Sequence, residues 1–359
     1  MLIFDGHLDL AMNAISWNRD LRQPVREMRR LEVEAGMTQK GRGRGTVAFP
    51  EMRSGKVAVS IVTVIARVQK PGNPLPGFRT AESAFASAQG QLAYYRMLEE
   101  QGEVRMLTDW PMLEAHLAAW EADPEAGARG ELPLGFILTM EGADPVVYPE
   151  QVHRWKADGL RCIGLSHYGL SNYAYGTSTP GALTDMGRAI LPEIEKAGLL
   201  LDLTHLADDA FWEVMDRYSG PVQCSHQCCR ALVPGDRQMD DAQLQAVIAR
   251  GGVIGAALDA WMLVPNWIKD TTENTAASLK DFVDHMDHVC QLAGNSLHAA
   301  IGTDLDGGYG QEQTPHDLDN IADLQTIPAM LRARGYTDAD VENIMWRNLA
   351  RLFQQTWLP

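Results

Sequence analysis

Eight short apolar runs, most of them separated by stretches with helical periodicity, restrict the folds open to this chain more than any other feature. They lie at 2–9, 56–66, 135–141, 160–167, 199–205, 222–226, 252–259 and 299–306. Near-continuous apolar runs are the pattern of strands buried on both faces. Between them, 81–101 carries apolar residues at helical spacing, and Asp185–Ala197 and 281–292 end close to Gly198 and Gly294, where a glycine can close a helix. The stretches 207–218 and 240–250 each precede another apolar run. Such alternation predicts a parallel sheet. Eight units in 359 residues fit one (β/α)8 barrel domain over 1–359, with an insertion at about 19–45. A doubly wound open sheet is the alternative, but it would gather its site at one switch point.

Six side chains suited to metal binding or proton transfer sit near the C-terminal ends of these runs. They are His7 and Asp9 in IFDGHLDL, Glu141 in ILTMEGAD, His205 in LLLDLTHL, His226 in VQCSH and Asp304 in AAIGTDLDGG. A period of two puts Ile3, Asp5, His7 and Asp9 on one face, so His7 and Asp9 can reach one cation. Asp5, one step deeper, is expected to orient His7 by a hydrogen bond. A buried, unpartnered carboxylate is costly, so Glu141 must be paired, protonated or metal-bound, and its two oxygens can bridge two cations. Cys224 and His226 share a face, which turns His226 inward. A lone strand histidine is usually a core residue; three histidines with three carboxylates at equivalent strand ends favour metal ligation.

Sorting the ligands gives His7, Asp9 and Glu141 to one ion and Glu141, His205 and His226 to the other. The mixed imidazole and carboxylate set suits two Zn²⁺, with Mn²⁺, Co²⁺ or Fe²⁺ as alternatives. Two ions roughly 3.5–4 Å apart can share a hydroxide at neutral pH. Asp304 then remains as the acid/base group. Asp306, expected on the same strand face as Asp304, reads as a structural carboxylate near the rim.

Charge and cysteine usage narrow the function classes. A net charge of −16 argues against a general binder of nucleic acid or anionic membrane, which needs a basic face. Arg19, Arg22, Arg26, Arg29, Arg30, Lys40, Arg42 and Arg44 nevertheless crowd 19–44. That stretch is expected to be a solvated loop with a short helix, or, in a sharper reading, a rim that attracts anionic substrates. The five cysteines are odd in number and lack the spacing of a secreted disulfide framework. A reducing, cytoplasmic setting is therefore expected. Residues 1–4 run directly into a polar motif, so no signal peptide is expected, and no stretch of about 18–20 apolar residues exists to span a bilayer.

Taken in order, DGHLD, EGAD, SHYG, DLTH, CSH and GTDLDGG resemble the membrane dipeptidase (renal dipeptidase) family of dizinc barrel hydrolases. The resemblance runs from Asp5 to about Asn348. It implies a zinc-dependent dipeptidase that cleaves the amide bond of small dipeptides, with a D-residue allowed at the C-terminal position. It matches Glu141 to the bridging ligand and His7, Asp9, His205 and His226 to the other ligands. It also implies that His167, in LSHYG, stabilises the oxyanion and that Arg237 grips the substrate carboxylate. Relatives of this kind are often homodimers. The chain departs from the family at Gln238, where asparagine is usual, and at GAALDAWMLVP, which lacks an Asn-Phe-Tyr-like pattern. These departures keep open a second reading: a binuclear amidohydrolase acting on an N-acyl amino acid or a lactam.

Overall fold

The computed structural model describes residues 1–358. Its strands are β1 (Ile3–Leu8), β2 (Val57–Val64), β3 (Val104–Met106), β4 (Leu134–Met140), β5 (Leu160–Gly164), β6 (Leu200–Asp202), β7 (Val222–Cys224), β8 (Val253–Ala256) and β9 (Ala299–Ile301). Each pairs in parallel with its neighbours in the order β2-β1-β9-β8-β7-β6-β5-β4-β3, and a β2–β4 ladder closes the ring. That closing ladder runs without a break from Val59↔Gly135 to Val64↔Met140. Eight strands thus form a closed barrel with helices around it, as the alternating pattern predicts. β1, β2 and β4 are buried at every position, which is why their sequences show apolar runs rather than alternation.

The helices begin and end where the sequence supplies caps. Thr80 accepts a hydrogen bond from Ser83 N at the start of Ala81–Glu100, and Thr184 does so from Gly187 N before Asp185–Ala197. Asp240 and Ser278 each form a reciprocal capping box, with Gln243 and Asp281. Gly198 and Gly294 close their helices at φ 61° and 67°, in the left-handed region that glycine enters without strain.

Two features differ from the sequence expectation. β3 is an additional short strand that pairs only with β4, outside the closed ring. Its burial alternates around exposed Arg105 over three residues, too short a pattern to stand out. The barrel strands also stop before most of the candidate site residues. His205, Asp304 and Asp306 have φ of 69°, 56° and 61°, values that no pleated strand accommodates. Face-sharing by a period of two therefore does not apply to Asp304 and Asp306, nor to Cys224 and His226 beyond the end of β7.

The 19–45 segment is more firmly held than a solvated loop. It contains the helix Val25–Glu34, but Arg19 and Glu32 are buried. Arg19 donates to both Glu32 oxygens, at 2.8 and 3.2 Å, to Asn13 Oδ1 at 2.8 Å and to Asp306 Oδ2 at 3.2 Å. Most of its other basic residues also have partners: Arg22 pairs with Asp20, Arg29 with Asp319, Arg30 with Glu27, Lys40 with Asp270 and Arg42 with Glu32. The charge that looked like an anion-attracting rim is largely neutralised within the protein. Asp306, in turn, accepts from Thr46 N, Thr46 Oγ1 and Val47 N. It ties residues 46 and 47 and Arg19 to the loop after β9, in keeping with a structural carboxylate.

Candidate active site

The strands and the loops that follow them bring all six strand-end residues together at the C-terminal mouth of the barrel. Glu141, the residue after β4, is the hub. Its Oε1 lies 3.4 Å from the Nε2 atoms of His205 and His226 and 3.7 Å from those of His7 and His167. His7 Nε2 is also 3.9 Å from Asp9 Oδ2 and 3.8 Å from Asp304 Oδ1. His205 and His226 approach at 3.1 Å between their Nε2 atoms. His167 and Asp304 therefore stand as close to the cluster as the five residues expected to be ligands. Arg237 sits beside it, donating to the His226 carbonyl at 2.8 Å and to Gln227 Oε1 at 3.1 Å.

Electrostatics show how much positive charge this cluster accommodates. Burial disfavours charge on His7, but the Glu141, Asp9 and Asp304 carboxylates outweigh it and push its pKa up to about 10. Burial pushes Glu141 up to about 7 and raises Asp304 well above the carboxylate range. His167, His205 and His226 move the other way, through burial first and then a nearby positive charge, Arg67 for His167, Arg237 for His205 and His7 for His226, which hold them neutral. Three neutral imidazoles beside buried carboxylates, with His7 carrying the positive charge, form a donor set that a metal ion can occupy by displacing the His7 proton.

The outer hydrogen bonds agree with that chemistry. Thr177 Oγ1 contacts His205 Nδ1 at 3.0 Å, and Ser225 Oγ contacts His226 Nδ1 at 2.9 Å and His7 Nδ1 at 3.5 Å. Fixing Nδ1 leaves Nε2 for a cation. Two buried atoms at the centre, His7 Nε2 and Glu141 Oε2, have no hydrogen-bond partner among the described residues. Three sets of donor atoms each fit within 4.8 Å: His7 with Glu141 and His226, Glu141 with His167 and His205, and His7 with Asp9 and Asp304. Glu141 and His7 each belong to two of them, and the sets cut across the expected division into His7, Asp9 and Glu141 and Glu141, His205 and His226. The residues present fit a metal centre.

Asp5 does not orient the His7 ring. It accepts from Thr303 N at 2.8 Å, Thr303 Oγ1 at 2.6 Å and the His7 backbone N at 3.2 Å. It ties β1 to the start of the Asp304 loop, and Ser225 is the side chain at the His7 ring. Ser225 is itself held in a tight place: a Cβ on Gly302 would lie 1.8 Å from its carbonyl oxygen, so β7 and β9 approach this closely only because position 302 is glycine.

Above the cluster opens a cavity of about 600 Å³, with Asp9, Glu141, His167, His205, Arg237 and Asp304 in its lining. Trp17, just before the 19–45 segment, and Trp261, from the GAALDAWMLVP stretch, form part of its walls. Asp259, in the same loop, is buried and accepts from Trp261 Nε1 at 2.6 Å and Gln313 Nε2 at 2.7 Å. Sequence reasoning missed Arg67, Thr177 and Ser225. Two of them had a signal: Arg67 directly follows the second apolar run, and Ser225 lies inside CSH.

A closed parallel barrel with buried histidines and carboxylates converging at the C-terminal ends of its strands defines a barrel protein with a candidate metal centre. The chain belongs to the membrane dipeptidase family, peptidase family M19, which matches residues 1–357. It is 23% identical over 354 residues to dipeptidase aclJ of Aspergillus oryzae, covering 97% of this chain and 76% of that protein. It is 27% identical over 201 residues to dipeptidase tcpJ of Claviceps purpurea, covering 55% of this chain and 45% of that protein. The chain thus spans about half the length of that Claviceps dipeptidase. A similar solved structure is a Rhodobacter sphaeroides metallo peptidase liganded with a phosphinate mimic of the dipeptide L-Ala-D-Ala, with a TM-score of 0.75, 21% identity and 99% of both chains covered. The dipeptidase AC metallo peptidase has the same TM-score at 22% identity, again over 99% of both chains. Among the described residues, no helix is long and apolar enough to cross a membrane.

Proposed function

We propose that this chain is a two-metal dipeptidase that hydrolyses the amide bond of small dipeptides, including those of L-Xaa-D-Xaa configuration. The convergence of four histidine Nε2 atoms on Glu141 Oε1, beside Asp304, supports it most directly. His7, Asp9, Glu141, His205 and His226 would hold two divalent cations, Zn²⁺ in the first place and Mn²⁺, Co²⁺ or Fe²⁺ otherwise. Such ions polarise a carbonyl and make water nucleophilic near neutral pH. Arg237 docks the substrate carboxylate, since two of its five donors are committed to Gln227 and His226 and the rest can form a charge-assisted fork. His167 donates a hydrogen bond to the oxygen that gains charge as the carbonyl is attacked. Asp304 takes a proton from the attacking water and delivers it to the departing amine. The ligand bound to the Rhodobacter protein supports the stereochemical part of this reading, and the five unpaired, buried cysteines suit a reducing, cytoplasmic setting.

The direct test is a panel of LL, LD and DL dipeptides, with N-acyl amino acids and lactams beside them, on protein of measured metal content. Two equivalents of Zn²⁺ with turnover of LD dipeptides is the expected result. Turnover confined to N-acyl amino acids or lactams would instead favour the second reading, which the replacement of a family-like loop by Asp259 and Trp261 in the cavity wall keeps in play.

The role of Arg237 gives a separate expectation. A hydrogen bond to a charged group contributes about 1.5–3 kcal/mol, so Arg237→Met should lower kcat/KM for free dipeptides by about 10- to 150-fold. C-terminally amidated dipeptides, if turned over at all, should lose far less. Equal losses on both substrate types would remove the carboxylate-docking role.

A further inference from the structure

His167 has a nitrogen on each side of its role. Nε2 faces the cluster, 3.7 Å from Glu141 Oε1, and Nδ1 lies 3.2 Å from Arg67 Nη1. A guanidinium carries only donors. In that contact Nδ1 must be the acceptor, so the single proton of the neutral imidazole resides on Nε2. We propose that Arg67 is a positioning residue that fixes His167 as the Nε2–H tautomer, with its proton directed toward the reacting carbonyl oxygen. This rests on the reading of His167 as the oxyanion donor, and it supplies what that reading lacks: a reason for the proton to be on the correct nitrogen.

The frame around the pair is built to keep it. Arg67 lies just beyond the end of β2 and His167 just beyond β5, and neither strand end alone would fix their separation. Asp144, buried in the EGAD turn after β4, joins the two loops. Its Oδ2 accepts from Val68 N and its Oδ1 from Asn172 N, both at 2.7 Å. Asn73 adds a reciprocal clasp, donating to the Leu170 carbonyl at 3.0 Å and accepting from Leu170 N at 2.9 Å. Gly169, at φ +84°, leaves room for it: a Cβ there would lie 2.4 Å from Asn73 Oδ1. Three backbone segments are thereby locked with the guanidinium edge against the imidazole. Arg67 also lines the cavity, so the contact forms at the place where substrate enters.

The test combines nitrogen NMR of the metal-loaded protein with kinetics of Arg67→Met and Arg67→Lys. In the wild type, the ¹⁵N signal of His167 should show Nδ1 unprotonated and Nε2 protonated. Arg67→Met should mix or reverse that assignment. Loss of an orienting partner behind a site residue typically costs about 10- to 100-fold, and here the loss should fall on kcat, with KM moving less than about twofold. Arg67→Lys, whose ammonium is also donor-only, should restore the Nε2–H form and part of kcat. Unchanged metal content and Tm in both variants separate this from a folding defect. A proton on Nδ1 in the wild type would overturn the proposal. So would an Arg67→Met variant that keeps both tautomer and kcat, or one in which KM alone rises. Should His167→Asn retain full kcat, the oxyanion role falls by itself, and the nitrogen signals alone decide the hold of Arg67 on the ring.

Discussion

Asp304→Asn is expected to keep both metal equivalents and to lose about 10²–10⁴-fold in kcat, the range contributed by a positioned general acid or base. The substitution preserves shape and removes the ability to accept a proton. Asp304 is suited to the task by its surroundings. Burial and the neighbouring Asp9 and Glu141 carboxylates push its pKa well above the usual carboxylate range, toward the operating pH that proton transfer favours. Its backbone sits at φ 56°, a left-handed conformation uncommon outside glycine. Such conformations persist where surrounding contacts over-determine them, and they cluster at functional sites. The competing possibility is built into the geometry: Asp304 Oδ1 is 3.8 Å from His7 Nε2 and shares a metal-sized group with His7 and Asp9. Metal analysis beside kinetics separates the two. Loss of one metal equivalent in Asp304→Asn would make Asp304 a ligand. Full metal content with wild-type kcat would remove it from the mechanism.

What was legible in the sequence follows from how each residue is specified. His7, Glu141, His205 and His226 were readable because apolar runs leading to a polar end are a local signal, and a barrel places all such ends on one rim. The eight barrel strands were readable for the same reason, since burial on both faces writes itself into consecutive residues. The exact strand ends were not. The positive φ of His205 and Asp304 depends on tertiary contacts, which a period-two argument does not contain. The partner of the His7 ring was misassigned for a related reason. Asp5 is two residues away in sequence, whereas Ser225, 218 positions on, arrives through β7. Arg67 and the Asp144 tie were hidden because their meaning lies in a loop-to-loop contact between β2 and β5. In 19–44 the short helix and the exposed Arg22, Arg26, Arg30 and Arg44 match the sequence reading, but charge counting does not reveal that Arg19 faces inward to Glu32 and Asp306.

That buried arginine gives the largest expected effect on stability. Arg19→Met should lower unfolding free energy by about 3–5 kcal/mol, the cost of removing one partner from a buried charge pair and stranding the other. Here two carboxylates would lose this cation, although Glu32 keeps Arg42 at 2.8 Å and Asp306 keeps its Thr46 and Val47 donors. Glu32 would lose a two-pronged contact, and Asp306 would lose its cation at 3.2 Å. The pair need not be net stabilising as it stands. Burial pushes the Asp306 carboxyl above its ordinary range despite the pull of Arg19 and Thr46, which marks the desolvation already spent in forming it. With an unfolding entropy of about 2.1 cal/mol/K per residue over 359 residues, the loss corresponds to a Tm lowered by about 4–7 °C at equal metal load. Arg22→Met is the matched control. Arg22 pairs with Asp20 at 2.9 Å, but both side chains are exposed, and such pairs contribute about 0–1 kcal/mol. Arg19→Lys should fall between wild type and Arg19→Met, because an ammonium keeps the charge but cannot make the planar fork to Glu32. Activity should follow stability in this series. Asp306 lies two residues from Asp304 on the same turn, and a displacement of about 1 Å in a catalytic group can cost 10²-fold. A Tm for Arg19→Met within about 1 °C of wild type would show that the insertion is held by its apolar contacts, Val25 and Met28 among the buried ones, and not by the arginine.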